Sequence, residues 1–221
     1  MKISKNIRPG FTLIELLAVI AIVAVMAALL LSVVGNIIWK ENIGRAISER
    51  DQLETAIEAY KSKYGSYPPS NANVLNSITN QLYYELMGTT NAGNDFTTLD
   101  DASMISALNV QSYFGVQAFM NCNKSKSAAD DFIPAKTFLS GLKPGEIASN
   151  GDCSIIVTAA NSDPGYEPAP GFSSLTGRPA NPWCYRYPGT NNPASYDLWV
   201  NVYVGGKMNL VCNWAKDVQT H

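Results

Sequence analysis

Glu15 is the one charged side chain within an apolar run over residues 13–34, which reads LIELLAVIAIVAVMAALLLSVV. An unpaired carboxylate in hydrocarbon is costly, so such an acid normally has a partner and a task. Its chemistry would be charge pairing. The other reactive side chains are four cysteines, Cys122, Cys153, Cys184 and Cys212. None forms a C-x-x-C pair and no histidine stands near them, so zinc-ligand spacing is absent. In an exported chain an even count favours disulfides. The three possible pairings are not distinguished by spacing.

The remaining residues exclude most catalytic designs. The sole histidine is His221, so neither a histidine triad nor a multi-histidine metal site can be assembled. Ser195 lacks a G-x-S-x-G setting, no phosphate loop is present, and the acids are scattered. No enzymatic activity is expected. Charged residues make up 15% of the chain and the net charge is −2, which gives no electrostatic case for nucleic acid.

The elements that must position Glu15 begin with a basic leader carrying Lys2, Lys5 and Arg8. The apolar run behind it has the length of a membrane span. Positive charge ahead of the run places residues 1–10 in the cytoplasm and the rest outside. Two ordinary explanations compete. A secretory signal peptide would use Ala24, Ala27 or Ala28 for cleavage, but this run is longer than a signal h-region and contains an acid. A plain signal anchor fits the length and leaves Glu15 unexplained.

Helical periodicity continues past the run. Ile43, Ile47, Leu53, Ile57, Tyr60 and Tyr64 line one stripe, and Gly65 followed by Pro68-Pro69 ends it. Residues 11–64 would form a helix roughly 80 Å long, its first half apolar all round and its second half amphipathic. Beyond it, residues 76–87 read as a short helix, 91–102 as a polar loop, 112–120 as helix or strand, and 164–182 as a surface loop. Residues 155–158, 183–187, 195–204 and 208–214 read as strands, with turns at 188–193 and at Gly205-Gly206.

Gly10-Phe11-Thr12-Leu13-Ile14-Glu15, with the basic leader before it and the apolar helix after it, resembles the class III leader of type IV pilins and type II secretion pseudopilins. The resemblance implies that a membrane-embedded prepilin peptidase cuts between Gly10 and Phe11 and N-methylates Phe11. It also implies that Glu15 is an assembly charge, pairing with the new Phe11 amine inside a homo-oligomeric filament core. A buried charge is tolerable when such a partner is present. Residues 56–68, with Tyr64-Gly65 and Tyr67-Pro68, resemble the end of the pseudopilin helix. Asn181-Pro182-Trp183, residues 185–189 and 192–199, and Asn213-Trp214 resemble the C-terminal region of the major pseudopilin. Residues 70–180 have no such match.

Two departures stand out. Many members of the family carry a helix proline about twenty residues into the mature chain, whereas residues 29–35 here offer only Gly35. The family's calcium loop corresponds to residues 201–212, which contain no carboxylate. Calcium takes six to eight oxygens, several of them from carboxylates, so the calcium site is not carried over and no cofactor is expected. Asp197 is read as a turn or surface residue. In place of the metal, a Cys184–Cys212 disulfide is expected to staple the loop, worth about 3–4 kcal/mol in the chain-entropy model, with Cys122–Cys153 as the second.

The expected fold is α+β, a long N-terminal helix packed on a small antiparallel head. Residues 1–10 form the cleaved leader and 11–38 the transmembrane and filament-core helix. Residues 39–64 form the amphipathic helix, 65–180 the variable head and 181–221 the β-rich end. The expected protein is a structural subunit of a type II secretion pseudopilus or type IV pilus-like filament. It would be single-pass in the inner membrane before assembly and periplasmic or at the cell surface afterwards. Its partners would be the membrane, the prepilin peptidase and inner-membrane assembly machinery, with no nucleic acid. A membrane-anchored extracytoplasmic binding module using the same leader is the competing reading.

Overall fold

The computed structural model describes residues 11–72, 76–123 and 134–221, without the side chains of 30–36. Residues 1–10, including Gly10 of the expected cut, lie outside the described residues, and so do the side chains of 30–36 around Gly35. Helix α1 runs Leu13–Tyr64, 52 residues. At its end Gly65 takes φ +77° and donates its N–H to the Lys61 carbonyl at 2.8 Å, a left-handed cap that a β-carbon would penalise. The chain divides into two compact units, residues 1–40 and 41–221.

In the first unit the described apolar side chains are exposed. Leu13 is 80% exposed and Leu29 is 66%. Among the described residues no helix is long and apolar enough to cross a membrane. The expected run over 13–34 extends into residues 30–36, whose side chains lie outside the description.

The second unit holds the distal part of α1 and all other elements. In chain order these are α2 (Leu82–Met87), β1 (Thr89–Ala92), β2 (Asp95–Thr98), β3 (Met104–Ser106), α3 (Ala107–Phe114) and β4 (Cys122–Asn123). There follow β5 (Ile147–Ser149), β6 (Ser154–Ile156), β7 (Ser173–Ser174), β8 (Cys184–Arg186), β9 (Asp197–Val204), β10 (Lys207–Cys212) and β11 (Gln219–Thr220). Among the described residues they form three sheets, ordered β3-β2-β1-β4, β6-β5-β7 and β11-β10-β9-β8. All pairings are antiparallel except β1 with β4. The fold is α+β, as expected, with three small sheets where one was anticipated.

The C-terminal sheet follows its sequence pattern. Along β9 Leu198, Val200, Val202 and Val204 are buried, whereas Trp199, Asn201 and Tyr203 are half-buried. This is the two-residue period of a strand with one face on the core. The buried face joins Ile43, Ala46, Leu53, Ala56, Ile57 and Tyr60 of α1 in one hydrophobic core with Trp183 and Tyr185.

The middle of the chain departs from expectation in ways that polar side chains explain. The helix anticipated over 76–87 covers only Leu82–Met87. Asn76 accepts the Thr79 N–H, and Asn80 accepts the Leu82 N–H while donating to the Trp183 carbonyl. Such local side-chain bonds compete with helix. The loop anticipated over 91–102 is mostly a hairpin. Ala92 pairs with Asp95 around Gly93-Asn94, and Gly93 supplies a positive φ of 76°. Phe96, 1% exposed, anchors this hairpin in the core. Helix α3 starts earlier than the segment expected over 112–120, because Ser106 caps it by accepting the Asn109 N–H.

Candidate functional site

Glu15 sits one turn into α1 and is bonded locally. Its Oε2 accepts the Thr12 N–H at 2.8 Å and the Thr12 hydroxyl at 2.7 Å, while Thr12 Oγ1 accepts the Glu15 N–H at 3.4 Å. This is a reciprocal capping box, in which side chains satisfy two helix-start N–H groups that lack intrahelical partners. The signal was legible in Thr12-Leu13-Ile14-Glu15, a T-x-x-E pattern that the assembly reading of Glu15 passed over. The bonds occupy Oε2 and leave Oε1 open. Phe11 beside it is 74% exposed. The arrangement offers one half-used carboxylate at the start of an uncovered apolar helix.

Sequence reasoning missed two buried acids that fasten α1 to the head within the second unit. Glu85 of α2 is 0% exposed. Its carboxylate accepts the Met120 and Asn121 N–H groups at 2.8 and 2.9 Å and the Tyr60 hydroxyl at 2.9 Å. Asn121 extends the node: its Nδ2 donates to the Glu85 and Lys136 carbonyls, and its Oδ1 accepts from the Tyr64 hydroxyl and the Lys136 N–H. Burial pushes the Glu85 pKa up, against the pull of these donors. Glu49 of α1 accepts the Ala159 N–H at 3.0 Å and the Trp183 indole N–H at 3.4 Å. Its pKa is also raised, chiefly by burial, with Glu146 adding repulsion. For Glu85 the signal in sequence was an acid among apolar neighbours, Tyr83-Tyr84-Glu85-Leu86-Met87, whereas Glu49, between Ser48 and Arg50, carried no such signal.

The cysteine expectation is corrected. Cys153, Cys184 and Cys212 are free thiols, so neither Cys184–Cys212 nor Cys122–Cys153 is formed. For the first pair the sheet gives the reason. Cys184 of β8 and Cys212 of β10 both face Trp199 of β9, one from each side. Two strand spacings separate their α-carbons by about 9–10 Å, beyond the roughly 7 Å reach of a disulfide. Burial pushes the Cys153 and Cys184 thiols up to about 12, which keeps them protonated and poor as nucleophiles or metal ligands.

Asp197, expected as a turn or surface residue, is instead the first residue of β9 and is buried at 2% exposure. It accepts the backbone N–H groups of Thr190, Asn191 and Asn192 at 2.7–2.9 Å and the Asn191 amide at 3.2 Å. Among the described residues no group of three or more His, Cys, Asp or Glu could hold a metal ion.

With this geometry in view, comparisons with known proteins give two findings. The prokaryotic N-terminal methylation motif matches residues 6–31. An N-terminal methylation motif leading into a long helix, followed by antiparallel sheets, supports a likeness to type IV pilin-like proteins. The type IV major fimbrial protein FimA of Dichelobacter nodosus is 43% identical over 54 residues, 24% of this chain and 35% of that protein. A second FimA sequence from the same organism gives the same identity over 34% of its length. The match spans about a third of the length of these relatives. No solved structure matches significantly.

Proposed function

We propose that this protein is a structural subunit of a type IV pilus-like filament or type II secretion pseudopilus. It is made as a membrane-anchored precursor, cut by prepilin peptidase between Gly10 and Phe11, and methylated on Phe11. The observation that carries this reading is the state of the α1 start: a carboxylate with one oxygen used by Thr12, ahead of an uncovered apolar helix. A helix surface of that kind needs lipid or neighbouring subunits to cover it. Cutting before Phe11 leaves the Thr12 N–H intact, so the cap survives maturation while a new amine appears beside it. A neighbour's amine can then pair with Glu15 Oε1 without dismantling the helix start. No catalysis and no cofactor belong to this reading.

The test couples mass and morphology. Intact mass of the mature wild-type protein is expected to begin at Phe11 with one added methyl group. Glu15→Ala is expected to be processed normally and to yield few or no filaments by electron microscopy. Wild-type filament numbers in that variant would overturn the assembly role and leave the membrane-anchored binding module as the better reading. Filament length, short and periplasmic against long and extracellular, separates pseudopilus from pilus.

A further inference from the structure

An open groove of about 430 Å³ lies on the outward face of the C-terminal sheet, beside the 190–192 loop. This volume falls within the roughly 300–1,000 Å³ of ligand clefts. Its floor and walls include Arg186, Thr190, Asp197, Trp199, Asn201 and Trp214. The two indole rings stand at 64° with centroids 5.8 Å apart, forming an aromatic corner. Strand register explains the placement. Arg186 of β8 is paired with Asp197 of β9, and Asn201 of β9 with Leu210 of β10, so these side chains share the outer face.

The charge arrangement is the unusual part. Arg186 stands directly across from Asp197, yet the two form no ion pair among the described residues. Asp197 is turned into the 190–192 loop, where four N–H donors occupy its oxygens. Asp197 also lines the groove, but with its oxygens held by these donors the Arg186 guanidinium is left without an ion-pair partner among the described residues. The indole N–H groups of Trp199 and Trp214, the Thr190 hydroxyl and the Asn201 amide also meet no protein hydrogen-bond partner among the described residues. The groove thus combines two aromatic faces, several unmatched side-chain donors and one unpaired cation.

We infer that this groove binds an acidic saccharide, with a sugar ring stacked on the Trp199–Trp214 corner and its carboxylate held by Arg186. A sugar ring has a C–H face suited to an aromatic surface and hydroxyls suited to side-chain donors. Its carboxylate supplies the partner that Asp197 withholds, in the two-pronged geometry a guanidinium favours. A peptide would fit this site less well. Peptides add to sheets through main-chain bonds at an edge, whereas these donors are side chains on a face.

The test uses the full-length protein in detergent micelles and trigalacturonic acid as probe, followed by tryptophan fluorescence. A saturable change is expected. Arg186→Gln is expected to weaken binding about tenfold or more, since a charge-assisted pair is worth at least one decade in affinity. Trp214→Ala is expected to abolish it, and Arg186→Gln carries the test alone if the tryptophan variant misfolds. The fully methyl-esterified trisaccharide, identical in rings but neutral, is expected to bind as weakly as Arg186→Gln binds the acid. No saturable change, equal affinity for the ester, or wild-type affinity in Arg186→Gln would each overturn the inference. An acidic peptide of equal charge binding as tightly would overturn the saccharide assignment.

Discussion

The two units of this chain carry their information differently. In residues 11–40 the decisive features are local: a T-x-x-E box, an apolar run, and apolar side chains that are exposed among the described residues. In residues 41–221 the decisive features are long-range. Glu85 reaches Tyr60 and Asn121, and Glu49 reaches Ala159 and Trp183. Under the filament reading proposed above, the difference teaches that a segment meant to be completed by other molecules keeps its instructions in consecutive residues, whereas a segment that completes itself spreads them over the chain.

Substitutions can break this contrast. The largest effect is expected from Glu15→Leu, which should lower filament yield by an order of magnitude or more while leaving the head's melting temperature unchanged. A shifted head transition would show that the units are not separable. Glu85→Ala is expected to do the reverse, costing the head about 3–5 kcal/mol by stranding two backbone N–H groups and the Tyr60 hydroxyl in the core. Chemical denaturation would read it, and a loss below about 1 kcal/mol would remove Glu85 as a tether. Processing at Gly10–Phe11 should be untouched.

A smaller loss, about 1–3 kcal/mol, is expected for Gly189→Ala. A β-carbon there would lie 2.6 Å from Asp197 Oδ1 and 2.7 Å from the Asn192 carbonyl. The same substitution should disturb the groove beside that loop, so an unchanged melting curve would question the role given to Asp197.

The acids also set a pH dependence. Burial raises the pKa values of Glu49 and Glu85 in the folded head, so the folded state holds protons that the unfolded state releases. Stability is then expected to fall as pH rises from the ordinary carboxylate range through the raised values. A melting temperature higher at pH 5 than at pH 7 is the expected reading, and the reverse order would mean that the hydrogen bonds to these carboxylates outweigh their burial. The smallest expectation concerns the cysteines. Non-reducing peptide maps should contain no Cys184–Cys212 crosslink, because Trp199 stands between the two strands.

Much of the outline was legible from the sequence. The C-terminal strands follow the alternation of Leu198, Trp199, Val200, Asn201 and Val202, and the end of α1 follows Gly65 and the prolines after it. The middle was less legible, since Asn76, Asn80 and Gly93-Asn94 act through hydrogen bonds and backbone angles that composition does not display. The disulfide expectation failed because nearness in sequence pattern said nothing of strand count. Cys184 and Cys212 flank the same residue rather than each other.

By itself the sequence determined the N-terminal segment, because capping, helical periodicity and lack of charge act between residues a few positions apart. Only the tertiary structure decided the partners of Glu85, Glu49 and Asp197 and the solitude of Arg186. A buried or unmatched charge is defined by what packs against it, and those neighbours lie far along the chain, as Trp183 does from Glu49.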